Sequence, residues 1–399
     1  MHATWKALAL TALIPFVLTA CGGGGGGSGN SNNSSSNNSG SSNAQTGTLH
    51  VAMADSPSCG FDHVFITVLQ VRVNASSDAG DNDAGWSTIS LAVPQKIDLL
   101  SLTNGVLADL GQTALPAGQY QQVRLVLASN DANTLANSIV PTGGNEQPLD
   151  TPSATQSGYK IISPFTVQPN TLVDLVLDFN ACKSIVSRGN GTYALKPVVT
   201  ATPTVVSGSI SGYVALAEAG ATVYAEQNGK VVRGTVADGT GKFVLSPLVQ
   251  SSTQGSYDVV IVQNNFSSGI VQSVPVVVNM DTPVSTSAAA IALPASLMGS
   301  VSGTVTPSAQ ALLRALQMIN GATFEIAAVN ANLDTGNYAL SLPTGAPFIG
   351  IYSNMLPIAL AQATSVAGQY VIEADASSGA VKSTNVDAAT NPIGVDFDF

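Results

Sequence analysis

Thr171-Leu172-Val173-Asp174-Leu175-Val176-Leu177-Asp178-Phe179-Asn180 decides the fold class. Val173, Leu175, Leu177 and Phe179 alternate with Leu172, Asp174, Val176 and Asp178, the period of a strand with one buried and one partly wet face. Outward from this stretch, from Gly47 onward, short runs rich in Val, Ile, Leu, Thr and Tyr recur between Gly, Pro, Asn and Asp turns, and helical periodicity is nearly absent. Residues 64–73 are apolar on both faces at their start, which predicts a central strand. The expected fold is all-β: a β-sandwich domain over 47–204, followed by two smaller β-sandwich modules over 205–298 and 299–399. A Pro-containing stretch at 202–207 sets the first boundary.

The two later modules read as a duplication. Gly208-Ser209-Ile210-Ser211-Gly212-Tyr213-Val214 is matched by Gly299-Ser300-Val301-Ser302-Gly303-Thr304-Val305. Gly220-Ala221-Thr222-Val223-Tyr224 is matched by Gly321-Ala322-Thr323-Phe324, and Gly241-Lys242-Phe243-Val244-Leu245 by Gly336-Asn337-Tyr338-Ala339-Leu340. On this alignment the second copy carries an insertion over 308–319, where Ala311, Leu312, Ala315, Leu316 and Ile319 line one side of a short helix.

The N-terminus reads as a secretion signal. Lys6 supplies positive charge, residues 7–17 form an apolar run too short to span a bilayer, and Leu18-Thr19-Ala20-Cys21 follows as a lipobox. Small residues admit a peptidase, and the Cys21 thiol is the nucleophile that takes up lipid. The expectation is a signal peptide over 1–20, removed before Cys21, and membrane attachment through acyl chains, each buried methylene contributing about 0.8 kcal/mol. Residues 22–46 are almost entirely Gly, Ser and Asn, which have no apolar side chains to offset ordering entropy, so they read as a tether. The lipobox resembles that of bacterial lipoproteins. In Gram-negative members an Asp after the cysteine implies inner-membrane retention, and Gly22 here points to the outer membrane of the cell envelope.

Only 9% of residues are charged, and Lys+Arg 13 against Asp+Glu 24 gives a net charge of -11. An acidic chain without basic clusters argues against nucleic acid and anionic lipid surfaces as partners. Beyond the signal no apolar run has membrane-spanning length. With Cys21 lipidated, Cys59 and Cys182 are the remaining thiols, and secretion places them in an oxidising compartment. A Cys59–Cys182 bridge would close a loop of more than about 100 residues and contribute on the order of 4–5 kcal/mol through the unfolded state. The alternative is two buried, unpaired cysteines acting as small apolar residues. Their spacing excludes a redox Cys-x-x-Cys site.

Residues 47–202 resemble the domain of unknown function numbered forty-three eighty-two, found in proteobacterial lipoproteins. The resemblance rests on Asp55-Ser56-Pro57, Trp86, Ile97-Asp98-Leu99-Leu100, Leu115-Pro116-Ala117-Gly118-Gln119-Tyr120, Asp178-Phe179 and Leu195-Lys196-Pro197. It implies no known activity and no catalytic residue. The later modules resemble carboxypeptidase regulatory-like, or transthyretin-like, β-sandwiches, through the Ser-Gly-x-Val opening, the Gly-Ala-Thr strand and the Gly-x-Phe/Tyr-x-Leu block.

No chemistry-bearing motif stands out. His50 and His63 are the histidines beyond the signal, and no Gly-x-Ser-x-Gly elbow accompanies them. They also lack the short spacing of metal ligands. The acidic run Asp78-Ala79-Gly80-Asp81-Asn82-Asp83 fails the register of a calcium loop and reads as a solvated connection. Asp238-Gly239-Thr240-Gly241-Lys242 lacks the Ser or Thr of a phosphate loop and reads as a hairpin turn. Val395, Phe397 and Phe399 read as a closing sandwich strand. These observations predict a non-enzymatic envelope lipoprotein, without cofactor or metal, that presents β-sandwiches to a protein or glycan partner for binding, adhesion or scaffolding. The alternative is an envelope enzyme or carbohydrate-handling accessory whose site is assembled from dispersed loops of the first domain.

Overall fold

The alternation over 171–180 forms a strand, and its two faces meet different surroundings. The computed structural model describes residues 45–56, 60–196, 198–204, 207–250, 256–308, 310–390 and 393–399. The chain is nearly all β, with 59% of residues in strands and 6% in helix. The first set of strands comprises β1 (Thr46–Ser56), β2 (Phe61–Asn74), β3 (Ser87–Asp98), β4 (Ala108–Pro116), β5 (Gly118–Leu127), β6 (Ser138–Pro141), β7 (Gln147–Asp150), β8 (Tyr159–Val167), β9 (Leu172–Asn180), β10 (Ile185–Ser187), β11 (Tyr193–Leu195) and β12 (Val199–Pro203). Two short helices, α1 (Pro152–Gln156) and α2 (Ala181–Ser184), lie among them.

These strands make two sheets: one ordered β12-β9-β1-β4, the other β10-β11-β7-β6-β2-β5-β8 with β3 also on β2. Strands β1 and β9 run parallel, from Thr48 opposite Leu172 to Ser56 opposite Asn180. Leu49, Val51 and Met53 of β1 and Val173, Leu175, Leu177 and Phe179 of β9 enter one core with Val64, Ile66 and Val68 of β2. Fully burying each such side chain contributes about 1.5–3 kcal/mol relative to exposure. Strand β2 is paired by β3, β5 and β6 and so is central in its sheet; Val64, Ile66 and Val68 face the core, and a register shift between Val68 and Gln70 brings Val71 and Val73 onto it as well.

The second set comprises β13 (Ser207–Tyr213), β14 (Thr222–Gln227), β15 (Lys230–Val236), β16 (Lys242–Val249), β17 (Tyr257–Val262), β18 (Gly269–Val274) and β19 (Asp281–Pro283). The third comprises β20 (Met298–Thr306), β21 (Ala311–Ile319), β22 (Ala322–Asn330), β23 (Asn337–Pro343), β24 (Phe348–Ile351), β25 (Ala361–Gln362), β26 (Gln369–Ala376), β27 (Val381–Asp387), β28 (Ile393–Gly394) and β29 (Phe397–Asp398). In the second set the sheets run β16-β13-β19 and β15-β14-β17-β18; in the third, β23-β20-β28, with β29 also on β20, and β22-β21-β26-β27. The strand order is the same, so β13 corresponds to β20, β14 to β21, β15 to β22, β16 to β23, β17 to β26 and β18 to β27.

This correspondence corrects the alignment expected from sequence. The outer blocks hold: Gly212 pairs Phe243 as Gly303 pairs Tyr338, and Ile210 pairs Leu245 as Val301 pairs Leu340. The middle block is displaced by one strand, because Gly321-Ala322-Thr323 opens β22 and not the counterpart of β14. Residues 311–319 are therefore no insertion and no helix. They form β21, a strand paired on both sides, by β22 and β26. A central strand buried on both faces reads as a continuous apolar run, which periodicity alone does not separate from a buried helix.

The actual insertion lies between β23 and β26, and it leaves its own module. Strand β24 runs parallel to β18, with Gly269 opposite Phe348 and Gln272 opposite Ile351, and β25 adds to β24. The third set thus supplies two strands to a sheet of the second. Val260 and Ile270 of the second set also share a core with Val301, Leu313, Phe324 and Ile372 of the third. Residues Ala44–Phe399 cluster as one compact unit.

Candidate functional site

The wet face of β9 holds the most informative polar groups. At its exposed end His50 of β1 bridges two carboxylates, with Nδ1 2.7 Å from Asp174 and Nε2 3.0 Å from Asp109. At the other end Asp178 is buried, although the same alternation places it on the same face. What buries it is the second module: Arg233 of β15 sets its Nη1 2.5 Å from Asp178 Oδ1, both side chains being 5% exposed or less. Arg233 Nη2 also donates to the Pro247 carbonyl at 3.4 Å. Burial pushes the Asp178 carboxyl up to about 6 against the pull of Arg233. Burial likewise lowers the guanidinium's value against the pull of Asp178 and, further off, Asp55. For both groups burial is the larger influence, and removing either partner would leave the other charge buried without compensation.

Two residues along β15, on the same face, Thr235 meets the loop after Leu99-Leu100 of the first domain. Asn104 N–H donates to Thr235 Oγ1 at 2.8 Å, and Asn104 Oδ1 accepts from Thr235 Oγ1 at 3.2 Å and from Val244 N–H of β16 at 3.0 Å. Asn104 adopts φ 55 and Gly105 φ 78, a left-handed pair that turns the loop tip toward the module.

A second cluster joins all three sets of strands. Lys183 of α2 lies 2.5 Å from Glu325 of β22, and Glu325 also takes Arg314 Nε of β21 at 2.6 Å. Arg314 reaches Glu373 of β26 at 2.7 Å and donates to the Gly229 carbonyl of the second set. Glu226 of β14 accepts the Glu325 N–H at 3.0 Å, and burial pushes its carboxyl well above the ordinary range.

Among the residues singled out from sequence, Cys21 and Cys59 lie outside the described residues. Cys182 lies in α2 and does not stand as a free thiol, and among the described residues there is no disulfide pair. His63, on β2 of the other sheet, is hydrogen-bonded to Asp98 at 2.7 Å, which raises its pKa. The 78–83 loop is closed from within: Arg124 pairs with Asp81, Trp86 Nε1 donates to the Gly80 carbonyl at 2.8 Å, and Asp83 accepts Gly80 N–H at 2.8 Å. Among the described residues no group of three His, Cys, Asp or Glu side chains is placed to hold a metal ion, and no helix is long and apolar enough to cross a membrane.

The first domain carries an open groove of about 650 Å³ lined by Thr67, Lys96, Asp131, Asn133 and Glu146. Its carboxylates do not converge: Glu146 takes Lys96 at 3.2 Å and Asp131 caps the N–H groups of Asn133 and Thr134. The 238–242 turn is a tight turn as expected, with Asp238 accepting Thr240 and Lys242 N–H, but it joins β15 and β16 across two sheets and is not a hairpin.

Arg233, Asn104, Lys183, Arg314 and Glu325 escaped the sequence reading. For the two arginines the signal was scarcity: in a chain so poor in charge, Arg314 within Ala311-Leu312-Leu313-Arg314-Ala315-Leu316 and Arg233 after Val231-Val232 needed buried partners.

Residues 46–197 match the family model of DUF4382, a domain of unknown function. No curated protein matches the chain. Among solved structures it is similar to a cohesin–X-dockerin complex from Acetivibrio cellulolyticus, 26% identical over 22% of this chain and 58% of that one, with a TM-score of 0.18. It is also similar to the major pilin subunit BcpA of Bacillus cereus, 10% identical over 89% of this chain and 99% of that one, with a TM-score of 0.13. The major pilin SpaA of Corynebacterium diphtheriae is 13% identical over the same shares, 89% and 99%, with a TM-score of 0.18. The chain thus spans 58% of the length of the cohesin-complex chain. With TM-scores this low, the fold description rests on the strand pairings themselves.

Proposed function

We propose that the chain is a non-enzymatic lipoprotein of the bacterial cell envelope, held by lipid on Cys21 and presenting three coupled β-sandwiches for binding, adhesion or scaffolding. The observation that carries this reading is the use made of the buried charges. Asp178, Arg233, Lys183, Glu325 and Arg314 are engaged in holding modules against one another. A chain that commits its scarce charges to such junctions is built to present surfaces at fixed positions. The lipobox and the Gly/Ser/Asn tether support placement at a membrane, with Gly22 favouring the outer membrane. The repeated strand order of the second and third sets supports reading both as transthyretin-like modules.

The test is fractionation of cells expressing the full precursor with radiolabelled palmitate. The expected result is label on the wild type in the membrane fraction and an unlabelled, released Cys21→Ser protein. A Cys21→Ser protein that stays wholly with membranes would overturn the anchoring. In the same preparation, non-reducing mass spectrometry is expected to join the peptides carrying Cys59 and Cys182; alkylatable thiols at both would remove the bridge.

A further inference from the structure

We propose that the first domain is an arginine receptor: Asp178, with Asn104 beside it, forms a binding site for a guanidinium-bearing strand, filled here in cis by the Arg233-x-Thr235 face of β15. This assigns a binding activity to the region matched by DUF4382 and does not depend on the lipid anchor.

Three observations converge on it. First, Asp178 belongs to a face that its alternation directs away from the domain's own core, since Val173, Leu175, Leu177 and Phe179 fill that core. A carboxylate so placed satisfies no packing need of its own domain, and its 2.5 Å partner comes from outside it. Secondly, the carboxylate of the site is held by a strand paired on both sides. Asp178 sits on β9 between β1 and β12, opposite Ala54 and Thr200. Small Ala52 and Ala54 on β1 leave room beside it for an incoming strand. Asp55, next along β1, is fixed by the Ala181 N–H at 3.1 Å and adds negative potential. Thirdly, recognition is two-pronged. Arg233 and Thr235 are two residues apart and so share a face of β15, one meeting Asp178 and the other Asn104. Asn104 also takes a backbone N–H from β16, so it reads an exposed strand edge as well as a side chain.

The kind of ligand follows from the chemistry. A guanidinium keeps its charge under burial and presents several donors in one plane, whereas an ammonium is a compact and more strongly hydrated charge. In a site that closes over both charges, desolvation penalises the ammonium more.

The experiment uses the full chain with Arg233→Ala, followed by thermal unfolding with methylguanidinium chloride or methylammonium chloride at equal concentrations. The expected result is a saturable rise in Tm with methylguanidinium alone, absent from the wild type, whose site is filled. The rise is abolished when Asp178→Asn is added. An equal response to both cations, a rise that survives Asp178→Asn, or no rise at all would overturn the receptor. Where Arg233→Ala does not fold, Arg233→Lys and Arg233→Met are compared in the full chain. A Lys variant that loses as much Tm as the Met variant supports a site that takes a guanidinium and not an ammonium, and a Lys variant that keeps most of the wild-type Tm overturns it.

Discussion

Across the β14–β15 ladder Arg233 stands opposite Ala225; across the corresponding β21–β22 ladder Ala327 stands opposite Ala315. Both ladders break register at the next residue, between Ala225 and Glu226 in one and between Ala315 and Leu316 in the other, so the positions are equivalent to the residue. The frame around them is shared down to single contacts. Gly241 adopts φ 80 and Gly336 φ 71, and a Cβ on either would lie 2.2 Å from a carbonyl oxygen, of Val214 and Val305 respectively. Each glycine carbonyl accepts that same residue's N–H at 2.9 Å. The copies differ where they meet neighbours. Arg233 docks on the first domain, whereas half-buried Ala327 lines the cleft toward the second module. The frame supplies the fold, and a few substituted side chains on its outer faces decide what each copy is joined to.

The sharpest way to break this comparison is to make the copies alike at that register. Arg233→Ala leaves Asp178 buried without its cation and is expected to cost about 3–5 kcal/mol in urea unfolding. Ala327→Ser in the third module should change stability by less than about 0.5 kcal/mol. Equal losses would remove the distinction. Smaller effects test the shared frame: Gly241→Ala and Gly336→Ala should each cost about 1–3 kcal/mol, because both meet a left-handed backbone and a carbonyl at the same distance. Substantially unequal costs would show that the corners are not equivalent.

The smallest effect concerns Asp238, which caps its corner where Asn332 caps the other. The Thr240 hydroxyl, with the Thr240 and Lys242 N–H groups, holds the Asp238 carboxyl below its ordinary value of 3.8. A depressed folded value means that its contribution is fully present above the unfolded value and is lost as pH falls through the folded one. Amides of Thr240 and Lys242 should therefore lose protection in acid, while those of Asp334 and Thr335 should not. Asp238→Asn should abolish the difference, as read by NMR hydrogen exchange across that window.

Much of the architecture was legible from residues alone. The alternation over 171–180 revealed one face correctly as core, and the two outer blocks of the repeat aligned in true register. The middle block misled because Gly-Ala-Thr happens to begin strands that occupy different places. The better landmarks were Asn228-Gly229 and Asn320-Gly321, two-residue turns with positive φ at both positions that close the equivalent β14–β15 and β21–β22 hairpins. The junctions were less legible because a buried charge announces only that a partner exists. Nothing near Arg233 in the chain points to Asp178, and the pairing is decided by how separate sheets stack. The lone Arg314 in an apolar run was readable as an anomaly, but its connections to Glu325, Glu373 and Gly229 were not.

The loan of β24 and β25 to the second sheet constrains the order in which the protein can mature. Polypeptides emerge N-terminus first, so β18 exists before the strand that covers its edge. The interval is about 75 residues, which an exported chain still has to bring across the membrane before the edge can be covered. During that time the second module has its core residues but exposes an unpaired row of backbone donors and acceptors, the feature that templates intermolecular pairing. Products interrupted between β20 and β24 should therefore be the aggregation-prone ones, and a chaperone serving this protein would have its longest task after the second module has been made and before its sheet is complete.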